Sequence, residues 1–361
     1  MTAGGPHLWT VILAGGVGSR FWPVSTPRRP KQLLPLASDQ PLIRDTVDRI
    51  TPLVPPERLR ILTGPHLAEP LLSALPEFDA GNLLLEPRAA GTAPVLAWAA
   101  AELERMDPDA VMVSLHADHV IHPPEAFRAL IARAAELAAG HRRLFTIGVP
   151  PTRAETGYGY IHLGAPLSAL DGDAHPEPGN AVAEFVEKPN RETAEAYLAA
   201  GTYLWNTGLF VWRCADLLDE LDRHAPEFAG LVPLLRRGGP DATVEFFARV
   251  PTISIDEALL ERSDRVGVVR ATFAWDDVGA WDAVARTRTP DEAGNVLLGE
   301  AHAVDSSGCI LYADAGPVVA FGLTDVVVVR TEGVAFVAQR DRLPELKSML
   351  ERLPEALRKL D

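Results

Sequence analysis

Short apolar runs alternate with amphipathic stretches through the first 150 residues. Trp9 to Leu13 has the length and composition of a buried strand, and Pro41 to Ile50 carries Leu42, Ile43, Val47 and Ile50 at helical spacing. Arg60 to Leu62 predicts a second strand, His66 to Leu75 a helix, and Leu83 to Leu85 a third strand ending at Glu86-Pro87. Thr92 is placed to cap an alanine-rich helix that runs to Arg105, with Pro94 in its first turn. Val111 to Leu115 and Leu144 to Val149 are further strands, separated by a helix over Phe127 to Ala139. Strands alternating with helices imply right-handed crossovers and an α/β fold with a mostly parallel sheet flanked by helices. Ligands in such sheets gather beyond the carboxyl ends of the strands.

The middle of the chain is aromatic and broken by glycine. Thr156-Gly157-Tyr158-Gly159-Tyr160-Ile161 is a glycine loop entering a strand, and Ala181 to Val186 is a strand that delivers Glu187-Lys188-Pro189. Asn190 should cap a helix over Arg191 to Ala200, and Tyr203 to Phe210 continues as a strand containing Asn206. Ser254-Ile255-Asp256-Glu257 has the form of a capping box before a helix to Glu261, and capping suffices to explain Ser254 and Glu257. Arg265 to Ala271 predicts a strand. The stretch from Arg286 to Asn295 turns polar, and a boundary is expected there, between 1–288 and 289–361. Beyond it lie apolar runs at Val296–Leu298, Ile310–Tyr312, Val318–Phe321, Val326–Val329 and Val334–Val337, the pattern of a small all-β unit. An amphipathic helix from about Leu343 to Leu357 closes the chain.

Composition narrows the function classes. A formal net charge of −15 argues against general nucleic-acid or anionic-membrane binding, since either requires a basic face. Cys214 and Cys309 are too few and too isolated for a disulfide framework or a cysteine zinc site. No basic region followed by an apolar core opens the chain, and no apolar stretch approaches ~18 residues. Neither a signal peptide nor a membrane span is expected, and the cytoplasm is the default.

Against that acidic background the opening is reversed in sign. Leu13-Ala14-Gly15-Gly16-Val17-Gly18-Ser19-Arg20 is followed by Arg28, Arg29 and Lys31, with no acidic residue before Asp39. Glycine admits close approach of backbone amides to a ligand, which suits a polyphosphate, although a plain tight turn accounts for such a loop equally well. No Lys-Ser or Lys-Thr completes a Walker loop, and Phe21 occupies the third position of the only possible dinucleotide fingerprint. Only four of the 34 basic residues are lysines, which makes Lys31 and Lys188 more informative. His116-Ala117-Asp118-His119-Val120-Ile121-His122 invites a zinc reading, but its spacing matches no settled zinc pattern. Local hydrogen bonding explains the histidines, and Asp118 at a strand end could hold Mg²⁺ against a triphosphate. Trp275-Asp276-Asp277-Val278-Gly279-Ala280-Trp281 reads alone as a tight turn between packed tryptophans.

Leu13 to Gln32 resembles the nucleotidyltransferases that load a sugar 1-phosphate onto a nucleotide. Phe21-Trp22-Pro23-Val24-Ser25 and Pro30-Lys31-Gln32 are similar to the mannose-1-phosphate guanylyltransferase branch of that family. The three aromatic and glycine-rich middle stretches match it in order and spacing. His116 to His119 resembles its Pro-x-Asp-His motif, with His116 in the proline position, and Trp275 to Gly279 resembles Trp-x-Asp-x-Gly. The likeness runs from Trp9 to about Gln339. It implies a Rossmann-like catalytic domain over 1–288 and a β-helix-like domain over 289–361, in a short form without the isomerase domain of longer relatives. The implied reaction is GTP + mannose 1-phosphate → GDP-mannose + pyrophosphate, in a cytoplasmic homodimer with Mg²⁺ as cofactor.

By the same resemblance Arg20 and Lys31 are catalytic. Leu13, Ala14, Gly15, Gly16, Gly18, Ser19, Glu86, Gly91, Thr92 and Asp118 bind the nucleotide. Gly157, Tyr158, Glu187, Lys188 and Asn206 bind the sugar, and Asp118 and Asp277 bind the metal. Ala90 and Gly91 stand where the family most often has arginine and asparagine, so guanine preference is less defined than the reaction class. Two alternatives stay open: a transferase using glucose 1-phosphate with UTP, dTTP or ATP, and a non-catalytic sugar-nucleotide-binding subunit. A degenerate subunit would be expected to have lost Lys31, Asp118 or Asp277, and all three are present.

Overall fold

The computed structural model describes Gly5 and residues 7–16, 18–167 and 179–358 of the chain. Its main sheet has nine strands: β1 (Leu8–Leu13), β2 (Leu59–Thr63), β3 (Leu83–Leu85), β4 (Val111–His116), β6 (Leu144–Val149), β7 (Tyr160–Pro166), β8 (Asn180–Val186), β9 (Tyr203–Arg213) and β10 (Val266–Arg270). Their order is β3-β2-β1-β4-β9-β6-β10-β8-β7. The first four strands pair in parallel, as do β6 and β10. From β9 onward antiparallel pairing is frequent, because β9 runs against both β4 and β6, and β8 against both β7 and β10. The sheet is therefore mixed.

Both faces of the sheet are covered, which explains why its central strands are largely apolar along their length, broken only by small polar residues such as Thr10, Ser114 and Thr146. Along β1 successive side chains part company: Ile12 joins a core with Phe127 and Ile131 of the Pro124–His141 helix, while Val11 joins one with Leu96 and Leu103 of the Thr92–Met106 helix. The second core is thickened by the helices Cys214–His224 and Pro240–Arg249. A two-stranded sheet not anticipated from the sequence joins β5 (Val120–His122) to β11 (Ala274–Asp276) in antiparallel register, with Asp276 opposite Val120. It brings the segments after Asp118 and before Asp277 side by side.

Beyond residue 295 the chain forms β12 (Val296–Val304), β13 (Ile310–Phe321), β14 (Val326–Arg330) and β15 (Ala335–Gln339). The expected five runs become four strands, since two of them merge into β13. β12, β13 and β14 pair in parallel through the short connections 305–309 and 322–325, and β15 returns antiparallel. Parallel neighbours in a flat sheet need a crossover of about a dozen residues. Connections this short instead coil the chain into stacked rungs, a β-helix-like unit. The expected terminal helix is split: Leu346–Leu350 and Glu355–Arg358 are separate, and Pro354 at the break lacks the amide a continuous helix would need.

This unit packs against the glycine-loop segment rather than standing apart. Phe21, Trp22, Val24, Leu34 and Leu36 share a core with Trp281, Tyr312, Val327 and Phe336. Phe21 and Tyr312 each meet Trp281 edge-on at 5.2 and 5.4 Å, and Trp22 meets Phe336 at 5.5 Å. Trp281 Nε1 donates to the Trp22 carbonyl at 3.2 Å, and Trp22 Nε1 to that of Leu357 at 3.1 Å. Trp281→Ala is expected to lower the unfolding free energy by about 3–5 kcal/mol, measured by urea titration. A loss below about 1 kcal/mol would show that this core is not what joins the two units.

Candidate active site

The glycine loop leaves β1 at Leu13 and crosses the Lys31 turn at close range. Gly18 sits at φ 72°, and a Cβ there would lie 2.4 Å from Lys31 Cβ. Glycine is required at this crossing on both counts. Ser25 Oγ donates to the Gly18 carbonyl at 2.6 Å, fixing the crossing. Ala14 is held likewise: its carbonyl accepts from Gln32 Nε2 at 2.9 Å and Thr63 Oγ1 at 3.0 Å. Gln32 stands in the Pro30-Lys31-Gln32 motif without a role assigned to it there, and Thr63 has no sequence signal. The Gly15 and Gly16 amides donate to no acceptor among the described residues, and the exposed Arg20 has no described partner. Val17 lies outside the described residues.

Lys31 is buried, and its ammonium meets three oxygens. Asp118 Oδ2 lies at 2.8 Å, and the carbonyls of Asp277 and Val278 at 3.0 and 2.9 Å. An ammonium has three donors, so all are engaged. Burial by itself would raise the Asp118 pKa; Lys31, with His119 and His116, overcomes this and brings it down to about 2. The Asp277 carboxyl is raised, first by burial, against the opposing influence of Tyr158 and Lys31. Tyr158 donates its hydroxyl to Asp277 Oδ1 at 2.6 Å, while its ring packs edge-on between Trp205 and Trp275. The neighbouring Asp276 is engaged by Arg286 and by the Val278 amide, a turn-holding role.

Asp118 reaches the Lys31 ammonium through its carboxylate and Asp277 through its backbone carbonyl, and each carboxylate keeps one oxygen without a described hydrogen-bond partner. Uncommitted carboxylate oxygens are hard donors of the kind Mg²⁺ takes. His116, Asp118 and His119 also lie together, with one potential ligand atom from each within 4.8 Å of the others. His119 Nδ1, however, accepts from Trp275 Nε1 at 3.1 Å. The neutral ring then carries its proton on Nε2 and has no lone pair left for a metal. Hydrogen bonding accounts for His119, but through a tryptophan 156 positions away and not through the local bonding expected from the sequence.

A cavity of about 330 Å³ opens beside the loop, lined by Leu13, Ala14, Gly15, Gly16, Glu86, Gly91, Thr92 and Asp118, all expected to bind nucleotide, and by Gln32 and His116. Gly18 and Ser19 are not on its wall. Glu86 is buried, and burial raises its carboxyl pKa against the pull of Arg88. Gly91 has φ 84°, and a Cβ on it would sit 2.3 Å from the Ile253 carbonyl. Gly91, not Thr92, is the N-cap of the helix Thr92–Met106. The Thr92 hydroxyl instead accepts the Ile255 amide at 2.8 Å, a long-range bond that the local cap pattern conceals.

The residues expected to bind the sugar come from three segments joined by backbone hydrogen bonds. The Lys188 amide donates to Tyr158 and the Asn206 amide to Gly159, at 3.2 and 2.8 Å. Lys188 and Glu187 pair at 2.5 Å, and Gly157 donates its amide to Glu155 at 3.1 Å. Asn206 accepts from Thr146 Oγ1 at 2.8 Å and donates to Asp256 Oδ1 at 2.9 Å. Of the capping box only the Glu257 amide to Ser254 Oγ is formed, and the turn that follows, Asp256–Leu260, is a π-helix.

Residues 9–293 match the nucleotidyl transferase family, and residues 299–353 match the mannoseP isomerase/GMP-like beta-helix domain. A mannose-1-phosphate guanylyltransferase of Klebsiella pneumoniae is 37% identical over 356 residues, covering 96% of this chain and 74% of the relative. The enzyme of that name from Escherichia coli strain K12 is 36% identical over 359 residues, 96% of this chain and 73% of the relative. A crystal structure from Thermus thermophilus, described as a mannose-1-phosphate geranyltransferase, superposes with a TM-score of 0.85 at 34% identity. It covers 96% of this chain and 99% of that one. The chain belongs to the nucleotidyl transferase family, in its mannose-1-phosphate guanylyltransferase branch.

In this nucleotidyltransferase Lys31 is the residue on which the electrostatics turn. A carboxylate held ionised down to about pH 2 stabilises the fold above the usual carboxylate range, and that contribution is lost as pH falls from 3.8 toward 2. Lys31→Met leaves burial unopposed by the ammonium. The Asp118 carboxyl is then expected to titrate above 3.8, followed by carbon-13 NMR of its side chain. An Asp118 pKa still near 2 would transfer the effect to other cations. Among the described residues no helix is long and apolar enough to cross a membrane.

Proposed function

We propose that this nucleotidyltransferase transfers GMP from GTP to mannose 1-phosphate, releasing GDP-mannose and pyrophosphate. Lys31 carries the proposal: one buried ammonium stands at the meeting point of the glycine loop and both metal-ligand aspartates. The physical problem is to bring an anionic sugar phosphate onto the α-phosphorus of a more strongly charged triphosphate. Coulomb repulsion opposes the approach, so the site must neutralise charge and hold the reacting oxygens in line.

The Gly15 and Gly16 amides and the exposed Arg20 guanidinium are placed to hold the β- and γ-phosphates, with arginine able to bind two oxygens at once. Lys31 gives up one of its three oxygen partners to meet the α-phosphate. Asp118 and Asp277 would hold Mg²⁺ through their uncommitted oxygens; when bound, it supplies charge neutralisation to the phosphate oxygens. Tyr158, Glu187, Lys188 and Asn206 place the sugar. The nucleophile is an ionised phosphate, so no side chain need act as general base. Buried, unpaired Cys214 and Cys309 are in keeping with a reducing cytoplasm. Exposed Val319, Phe321 and Val337 give the β-helix-like unit an apolar surface in keeping with a homodimer.

A pyrophosphate-release assay across GTP, UTP, dTTP and ATP with mannose or glucose 1-phosphate tests the reaction. GTP with mannose 1-phosphate is expected to give the highest kcat/KM, and Lys31→Ala to lower kcat by about a hundredfold or more. Absence of turnover with every pair would favour a binding subunit. Asp277→Asn retains an acceptor for Tyr158 while removing the charge. It is expected to weaken Mg²⁺ binding to the GTP-loaded protein by about tenfold or more in calorimetric titration. An unchanged metal affinity would reduce Asp277 to a turn residue.

A further inference from the structure

Asp256 has no part in the chemistry described so far, yet it faces the sugar side of the site. The Asn206 side-chain carbonyl accepts from Thr146 Oγ1 at 2.8 Å and from the Gly208 amide at 3.3 Å. Its Nδ2 donates one hydrogen to Asp256 Oδ1 at 2.9 Å. An asparagine amide carries two N–H donors and one oxygen. With the oxygen engaged twice and one N–H given to Asp256, a single N–H is left for an incoming hydroxyl. Turning the amide over would set the Gly208 N–H against an NH₂ group and the Asp256 carboxylate against a carbonyl oxygen. Asp256 and Gly208 together exclude that orientation.

Asp256 is itself held from the opposite side. The preceding amide, that of Ile255, donates to Thr92 Oγ1 on the wall of the nucleotide cavity, and Ile255 is buried. The backbone that carries the carboxylate is therefore anchored. Asp256 also receives a hydrogen bond on its carboxylate from its own backbone amide. Its carboxyl is pushed up to about 6, first by burial and then by the Glu187 carboxylate, which places a second acid close by. Gly159 lies against both Glu187 and Asn206, since a Cβ there would stand 2.6 Å from Glu187 Oε2 and 3.4 Å from Asn206 Cβ. Two carboxylates around one directed amide N–H give the acceptor–donor–acceptor set that neighbouring hydroxyls of a hexose require.

We propose that Asp256 is a positioning residue for sugar recognition: it fixes the Asn206 amide so that its free N–H meets a hydroxyl of the hexose phosphate. This rests on taking the Tyr158–Glu187–Asn206 region as the sugar pocket of the transfer reaction. Asp256 touches the amide, and its effect on the sugar runs through it.

The test is steady-state kinetics on the full chain with GTP and mannose 1-phosphate. Asp256→Ala is expected to raise KM for the sugar phosphate about tenfold, with kcat and KM for GTP within about threefold of the parent. Asp256→Ser, which keeps a polar group but cannot reach Asn206, should behave the same way and serves if the alanine variant does not fold. Asp256→Asn still offers an oxygen to Asn206 Nδ2 and should restore the sugar KM to within about threefold. An unchanged sugar KM in the alanine or serine variant would overturn the proposal, and so would an equal rise in both KM values, which marks a purely structural role. An asparagine variant as impaired as alanine would also overturn it, by showing that charge rather than acceptance matters. If the parent protein turns over no hexose 1-phosphate, it is the transfer reaction that fails, whereas a normal parent with an unresponsive Asp256 sinks this inference alone.

Discussion

One ammonium ion ties the molecule's remote parts together. Lys31 follows the first strand by fewer than twenty residues, Asp118 stands two residues beyond the fourth, and the Asp277 and Val278 carbonyls belong to the turn before the helix Trp281–Thr287. Three oxygens at 2.8–3.0 Å engage all three donors of the Lys31 ammonium, in a chain of net charge −15. The cost falls on the backbone. Lysine can occupy that place only because residue 18 has no Cβ, so the glycine of the loop serves the lysine as directly as it serves a phosphate.

The aromatic pair after the loop has a different task. Phe21 and Trp22 do not line the nucleotide cavity; they fill the core beneath it, against Trp281, Tyr312 and Phe336. Residues that mark the family by sequence therefore act through packing. A loop rich in glycine has little side-chain surface with which to hold its own shape, and the β-helix-like unit supplies the rigid backing from outside. That division leaves Arg20 at the surface with no described partner, while its neighbour Phe21 is fully buried.

Much of this was legible in the sequence, and what was not has a common cause. Strands such as Leu144–Val149 and helices such as Arg191–Ala200 announce themselves through local periodicity and a capping asparagine. The cationic opening, Asp118 and Asp277 stand out through composition and through likeness to known motifs. The β5–β11 pair and the contacts of Gln32, Thr63 and Asp256 join residues that are distant or carry no pattern of their own. Asp256 was hidden inside a capping signal that explained its neighbours Ser254 and Glu257. Thr92 was misassigned for a related reason: a hydroxyl before a helix ordinarily caps it, and here it accepts from a residue 163 positions away. Pro354 could have been weighed more heavily, since it ends the terminal helix where amphipathicity alone continues it.

Tyr158 donates to Asp277, so the glycine loop proposed to meet the sugar and a carboxylate proposed to meet the metal share a single proton. Linked equilibria oblige such sharing to act in both directions. To whatever extent a cation loosens the phenol from the carboxylate, a hexose phosphate that draws the phenol toward itself frees the carboxylate by the same factor. On the proposed assignment, substrate and metal affinities would be coupled through one short bond, without any subunit rotation or domain closure.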